Sequence, residues 1–401
     1  MGIYKKIFSL IFFICLSVST GAETFQFKYQ QDVKYKMLTT VEGKVFINGY
    51  FDHSVETLYK IAVEVLDVKE ESGQIAGVFQ TSEKASLDEG LFKLSEEEYR
   101  TVYWRDARGR YSSVSQQLLP QVRNVPLFPE EDLVPGDSWE DEGEEVFDLR
   151  EFGITEPVHV PLRVNYIYVK KETLAGVECA VFQIYYSFVL NLGRYTGLTD
   201  NYPLKITGHS NQRYFFDVAN GRPHSYEDTF DRVYLFTSGD IFEFNGRSQG
   251  EVIEGTDLDK DKMIKEIEEV IQQEGIEDTA VEKSDEGVKL ILEDINFLPE
   301  SDVLVPKEQE KLSKIAKILI NYPDKDLLIS GHTALAGTEA GRQLLSERRA
   351  RAVGEFLLNL GVREVNQLVY RGLGAREPVA DNATTEGRKK NRRVEIMILE
   401  N

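Results

Sequence analysis

The sequence predicts a multi-domain α+β protein: an antiparallel β-rich N-terminal region, built as a sandwich or half-barrel, followed by a small α/β domain. Three observations predict it. Apolar residues recur at every second position in the front region, as in Ala180, Phe182, Ile184, Tyr186, Phe188 and Leu190. Beyond residue 281, short apolar strands alternate with helical patterns, the order of a small α/β layer. The charge also breaks there: residues 281–401 hold 19 basic and 20 acidic side chains, whereas 23–280 hold 26 against 48. A break of that size separates domains and their partners.

The whole chain has 401 residues, 41% of them hydrophobic, and a formal charge of -21. That length allows two to four domains with real cores. Such acidity repels phosphate backbones, so no nucleic-acid partner is expected. With 30 glycines and 12 prolines, collagen-like and proline-rich architectures are excluded.

Residues 1–22 open with Lys5 and Lys6, continue through an apolar run from Ile7 to Ser19, and end Thr20-Gly21-Ala22. This is the pattern of a cleavable signal peptide, so the protein is expected in the periplasm, associated with the outer membrane or free of it. Cys15 raises the question of lipidation, but it sits inside the apolar run. Cleavage after Ala22 leaves Cys179 alone, so no internal disulfide is expected, and its strand-like setting predicts a buried, inert thiol. No later apolar stretch approaches the length of a membrane-spanning helix.

The acidic β-rich region is expected over 23–255. Tyr59–Val65 alternates like 180–190. Asn220-Gly221 predicts a hairpin with positive φ at both positions, and Asp106-Ala107-Arg108-Gly109 a looser turn. The proline- and acid-rich stretch 120–161 either divides this region into two sub-domains or crosses a single sheet. Within it, Pro135-Gly136-Asp137-Ser138-Trp139 reads as a turn with Trp139 tucked into the core. Glu64 and Glu178, within or beside strands, favour a water-soluble form over an inserted barrel.

Residues 256–280 predict a linker helix with Ile264, Ile267 and Ile271 on one face. Asp257, Asp259, Asp261 and Glu268 match the spacing of a calcium loop. Lys262 stands where that loop needs glycine, so the acids read as a helix start. In 281–401 the strands are Val288–Leu292, Leu327–Ser330, Gln367–Tyr370 and Val394–Ile398. One helix starts at Pro306 and buries Leu312, Ile315, Ala316 and Leu319. A second runs from Glu339 to Leu360, ends at Gly361, and presents Leu345, Ala352, Val353, Phe356 and Leu360.

The motifs of this last segment are Gly331-His332-Thr333, Leu345-Ser346-Glu347-Arg348-Arg349-Ala350, Arg371-Gly372-Leu373-Gly374, and Pro378, Asn382, Thr384, Gly387-Arg388 and Asn391-Arg392-Arg393-Val394-Glu395-Ile396. In that order they resemble the C-terminal, peptidoglycan-associated domain of the OmpA family. The resemblance covers about 280–401, and the altered motif resembles that of divergent spirochaetal members. It implies a ligand, the diaminopimelate of the peptidoglycan stem peptide, held by one carboxylate and one guanidinium. A zwitterionic ligand end needs both signs of charge.

The resemblance places the guanidinium at Arg349 and counts Thr333 among the ligand-binding residues. It places the acid at Ala334, where the acid is lost, and a usual asparagine at Arg342, also replaced. Glu339 is the candidate substitute acid. His332 is expected to be structural, and Asn391-Arg392-Arg393 to pair internally.

Two functional readings follow. In the first, the C-terminal module docks on peptidoglycan, weakly or with altered preference, while the β region contacts other envelope proteins. In the second, the module has lost wall binding and serves a periplasmic structural or partner-binding protein. An enzyme is not expected. His53, His159, His209, His224 and His332 form no metal spacing, and neither a nucleophile elbow nor a phosphate loop is present, so no metal or cofactor is expected.

Overall fold

The computed structural model describes residues 21–85, 90–113, 117–193, 199–254, 258–293, 295–297 and 303–400. The expected signal peptide with Cys15, the acid Asp257 and the loop 299–302 lie outside them, save Gly21 and Ala22.

The front region is a run of long antiparallel strands. They are β1 (Lys34–Ile47), β2 (Tyr50–Lys69), β3 (Ser72–Ala85), β4 (Phe92–Arg105), the short β5 (Tyr111–Ser112) and β6 (Val122–Arg123), β7 (Ser138–Phe147), β8 (Val158–Leu174), β9 (Val177–Asn191), β10 (Pro203–Asp217), β11 (Arg222–Phe236) and β12 (Ile241–Glu254). Pairing runs unbroken in the order β4-β3-β2-β1-β12-β11-β10-β9-β8-β7-β6, with β5 on β4. The stretch 120–161 contributes β6, β7 and the first residues of β8 to that order.

That sheet curls. The ring of Phe27, on the N-terminal arm, lies 4.1 Å from the Arg105 guanidinium of β4 and 5.4 Å from Phe216 of β10. The two strands are six steps apart, about 29 Å in a flat sheet. The arm lies on the inner face of the curl. There Phe25, Phe27, Phe128, Phe182 and Phe216 pack with the alternating residues predicted on β9: Ala180, Phe182, Ile184, Tyr186 and Phe188 are buried. Trp139 stacks on Tyr166 at 4.9 Å and donates from Nε1 to the Leu127 carbonyl. Cys179 is buried, and burial pushes its thiol up to about 11.

Asn220-Gly221 does turn the chain between β10 and β11, but only Gly221 has positive φ. The loop is four residues long. The Asp217 carboxylate accepts from the Asn220 backbone and side-chain amides, which holds Asn220 without the left-handed conformation. Positive φ at both positions occurs instead at Asn48-Gly49, between β1 and β2, and at Ala175-Gly176, between β8 and β9.

The back of the chain forms α1 (Lys260–Glu274), β13 (Thr279–Ser284), β14 (Gly287–Glu293), α2 (Pro306–Leu319), β15 (Leu327–Gly331), α3 (Glu339–Asn359), β16 (Leu368–Gly372), α4 (Thr385–Asn391) and β17 (Arg393–Leu399). Strand β17 pairs antiparallel with β14 and β15, β13 lies outside β14, and β16 runs parallel to β15. Asp259 caps α1, its carboxylate accepting from the Lys262 amide. The expected linker helix buries Met263 and Ile267 in the core of this unit, and β13, polar on alternate residues, was not foreseen.

The apolar stripe predicted for α3 is rotated. Ser346, Ala350, Val353, Gly354 and Leu357 are buried, whereas Leu345 and Leu360 are 39% and 42% exposed. Small residues face inward because the helix lies hard against the sheet: a Cβ on Gly331 would sit 2.1 Å from the Ser346 carbonyl oxygen.

The two regions are joined. Strand β16 pairs in parallel with β4 through Val369–Phe92 and Tyr370–Lys93. Leu38, Leu58 and Phe92 pack on Leu328, Val369 and Met397, and Leu91 enters the C-terminal core. Lys60 donates to Asp326 at 2.9 Å across the junction, and Lys93 pairs with Glu347.

Candidate functional site

The motif Gly331-His332-Thr333 forms the C-terminal end of β15 and the turn after it. The His332 amide donates to the Arg393 carbonyl and the Thr333 amide to the Gly374 carbonyl at 2.8 Å, which ties the β15 and β16 loops together. Ala334 follows, 7% exposed. Leu335 is exposed, and its amide is held by the Asn382 side chain at 3.0 Å. Thr338 then caps α3, accepting from the Gly341 amide.

Glu339 sits exposed in the first turn of α3, where an acid suits the helix dipole. Arg342 bends back so that its guanidinium donates to the Gly337 carbonyl at 2.6 Å. Arg349 lies seven residues further on, ~20° short of two full turns, so both cations share one face of α3. Ser346, between them, accepts from the Gly374 amide at 2.9 Å. The Thr333 loop and the Arg342 end of α3 therefore meet at the Gly372–Gly374 turn, and Arg349 lies two turns further along the same face.

The Arg349 guanidinium lies 5.2 Å from the ring centroid of Phe297. Thr333 Oγ1 is buried with no hydrogen-bond partner. Phe297 is the element missed by sequence reasoning. Its signal was an aromatic just after a buried strand, a common place for a packing residue and a weak hint of a ring set under a cation. The site thus holds cations, an aromatic face and an alanine where the resemblance places an acid. Glu339 makes no ion pair with either arginine among the described residues.

His332 is 1% exposed. Burial holds its pKa below the usual value, and Nε2 lies 3.5 Å from the Glu395 carboxylate without an aligned hydrogen bond. Burial works to raise the Glu395 pKa, but His332, Lys289 at 2.9 Å and Arg393 at 2.8 Å outweigh it and hold the carboxyl far below the ordinary range. Asn391 satisfies the Val379 and Ala380 amides, and Arg393 the Glu377 carbonyl, so these two close the sheet internally. No cluster of potential metal ligands occurs among the described residues.

A family model described as the OmpA family matches residues 296–392. The peptidoglycan-binding protein ArfA of Mycobacterium tuberculosis is 41% identical over 95 residues, 24% of this chain and 29% of that protein. The chain thus spans less than a third of the length of that relative. The outer-membrane lipoprotein YfiB of Pseudomonas aeruginosa is 37% identical over 130 residues, 32% of this chain and 74% of that protein. A solved structure of an outer membrane protein from Borrelia burgdorferi B31 shares 37% identity, covers 30% of this chain and 96% of its own, and superposes with a TM-score of 0.26. The family match spans α2, β15, α3, β16 and α4: through this module, the chain belongs to the OmpA family.

Proposed function

We propose that the protein is a non-catalytic cell-envelope tether. Its module over 281–401 associates with peptidoglycan, and its β region over 23–255, a half-barrel in this reading, contacts another envelope protein. The chain is exported by its leader to the periplasm and works there beside the outer membrane. The observation that carries this reading is Arg349, held over Phe297 on the same face of α3 as Arg342, at the position where the resemblance puts a guanidinium. It reads a carboxylate of the stem peptide.

With Ala334 in place of the acid, the ligand ammonium loses its partner. A charge-assisted hydrogen bond is worth about 1.5–3 kcal/mol, so binding of a diaminopimelate end is weakened about 10- to 150-fold. A wall whose diamino acid lacks the second carboxylate would present different demands to this pocket.

A second reading, in which the module is structural and no longer binds the wall, is favoured by one observation. Part of its sheet, Leu328, Val369 and Met397, and the free edge of β16 are taken up by the β region.

Co-sedimentation of the mature chain with purified peptidoglycan decides between the two. The tether requires saturable sedimentation that Arg349→Ala abolishes. Absence of sedimentation selects the structural reading, and binding that survives Arg349→Ala overturns the pocket assignment. The whole mature chain is the reagent, because a 281–401 fragment would bare the face that Leu38, Leu58 and Phe92 cover.

A further inference from the structure

The inner face of the β region holds a cation that nothing in the wall-binding reading uses. Arg105, the last residue of β4, is 8% exposed. Its Nε donates to the Tyr29 hydroxyl at 2.9 Å, and its guanidinium lies 4.1 Å from the Phe27 ring and 5.9 Å from that of Tyr111. No carboxylate pairs with it among the described residues. Its titratable neighbours are instead phenols: Tyr29 and Tyr111, whose rings lie 5.6 and 5.9 Å from the guanidinium, and, within electrostatic reach, Tyr35, Tyr103 and Tyr214 of β10. A guanidinium withdrawn from water without an anion is costly, and natural interiors pair or neutralise buried charges. Phenol hydroxyls can donate to an anion but supply no negative charge of their own at neutral pH.

The sheet beside this cation is apolar and incompletely covered. The strand register places Tyr35, Val63, Gly77 and Thr101 in one row across β1 to β4, and Ile61 and Phe79 in the next. Ile61, Val63 and Phe79 are only half buried, and Tyr59, one row further out, is 38% exposed. Thr101 Oγ1 is buried with no hydrogen-bond partner. A single positive charge at the closed end of an apolar strip matches one negative charge on an apolar tail.

We propose that the inner face of the β region binds a long-chain monocarboxylate, its head on Arg105 and the surrounding phenols, its tail along Val63, Ile61, Phe79 and Tyr59. The guanidinium fork takes both carboxylate oxygens. A dianionic phosphate head would leave a net negative charge in the same enclosure. The site is independent of the wall-binding module and stands or falls separately from it.

The test is calorimetric titration of the mature chain with dodecanoate, dodecanol and dodecyl phosphate. Dodecanoate should fill one saturable site, with the alcohol and the phosphate each at least about tenfold weaker, the discrimination expected from one charge-assisted contact. Arg105→Met, close in volume, should abolish the preference for dodecanoate over dodecanol. Absence of saturable dodecanoate binding overturns the proposal. So does equal binding of the alcohol, tighter binding of the phosphate, or an unchanged preference in a folded Arg105→Met protein. If that variant does not fold, the three-ligand comparison on the unmodified chain decides.

Discussion

Replacing Asp326 with asparagine should loosen the junction between the β region and the wall-type module. The Asp326 carboxylate accepts from Lys60 at 2.9 Å and lies 3.9 Å from the Lys36 ammonium. The three side chains are 15%, 9% and 19% exposed. At an effective dielectric of about 20, the attractions are about 6 and 4 kcal/mol before desolvation is counted. Desolvation returns much of that, and removing one member of a buried pair costs about 3–5 kcal/mol because the other charge is stranded.

Burial already holds the Lys36 amine below its usual pKa, with Asp326 opposing that shift, so the variant should depress it further. For domains of 150–250 residues, each kcal/mol moves a transition about 2–4 °C, which predicts a fall of about 6–20 °C in calorimetry. Limited proteolysis should then cut the variant between the two regions. The double change Lys60→Met with Asp326→Leu should recover much of the loss, since the principal pair is gone together. An unchanged transition in Asp326→Asn, or a double variant no better than the single, would refute the charge accounting.

Three further outcomes follow. Ala334→Asp should strengthen sedimentation with diaminopimelate-type wall about 10- to 150-fold; no gain would mean that the loop around Arg342 has also lost the geometry. Gly331→Ala should destabilise the module by about 1–3 kcal/mol, because its Cβ meets the Ser346 carbonyl and backbone cannot step aside; a melting curve like that of the unmodified chain would contradict the tight α3–β15 packing. Glu395 has a folded pKa below its unfolded value, so its contribution is present above about pH 4.5 and is lost as pH falls toward the folded value. Glu395→Gln should therefore lower stability most at neutral pH and least in acid, and an advantage of the unmodified chain that grows below pH 4.5 would reverse that sign.

The motifs of the candidate site were legible because they are local. Gly331-His332-Thr333 and Leu345–Ala350 each occupy a few consecutive residues, and the alanine at 334 is visible on inspection. Phe297 was not readable as a site residue. It meets Arg349 from 52 positions away, and no spacing rule links them. The α3 stripe held at Val353 and Phe356 and failed at Leu345 and Leu360 for a related reason. Hydrophobicity pointed to Leu345 and Leu360, but helix-to-sheet distance selects small residues, and that distance exists only once Gly331, Gly354 and Ser346 are assembled.

Periodicity and charge, which act along the chain, determined that an acidic strand-rich region precedes a near-neutral α/β module. The sequence also held the period-two faces of β9 and the buried face of α2, because each is set by neighbours two to four residues away. Only the tertiary structure decided what those faces meet. It curled the sheet until Phe27 touched both β4 and β10, left Arg105 among phenols without an acid, and set Lys60 on Asp326 across 266 positions. Long-range pairings of this kind depend on which surfaces remain to be covered after local structure forms, and no local pattern encodes that remainder.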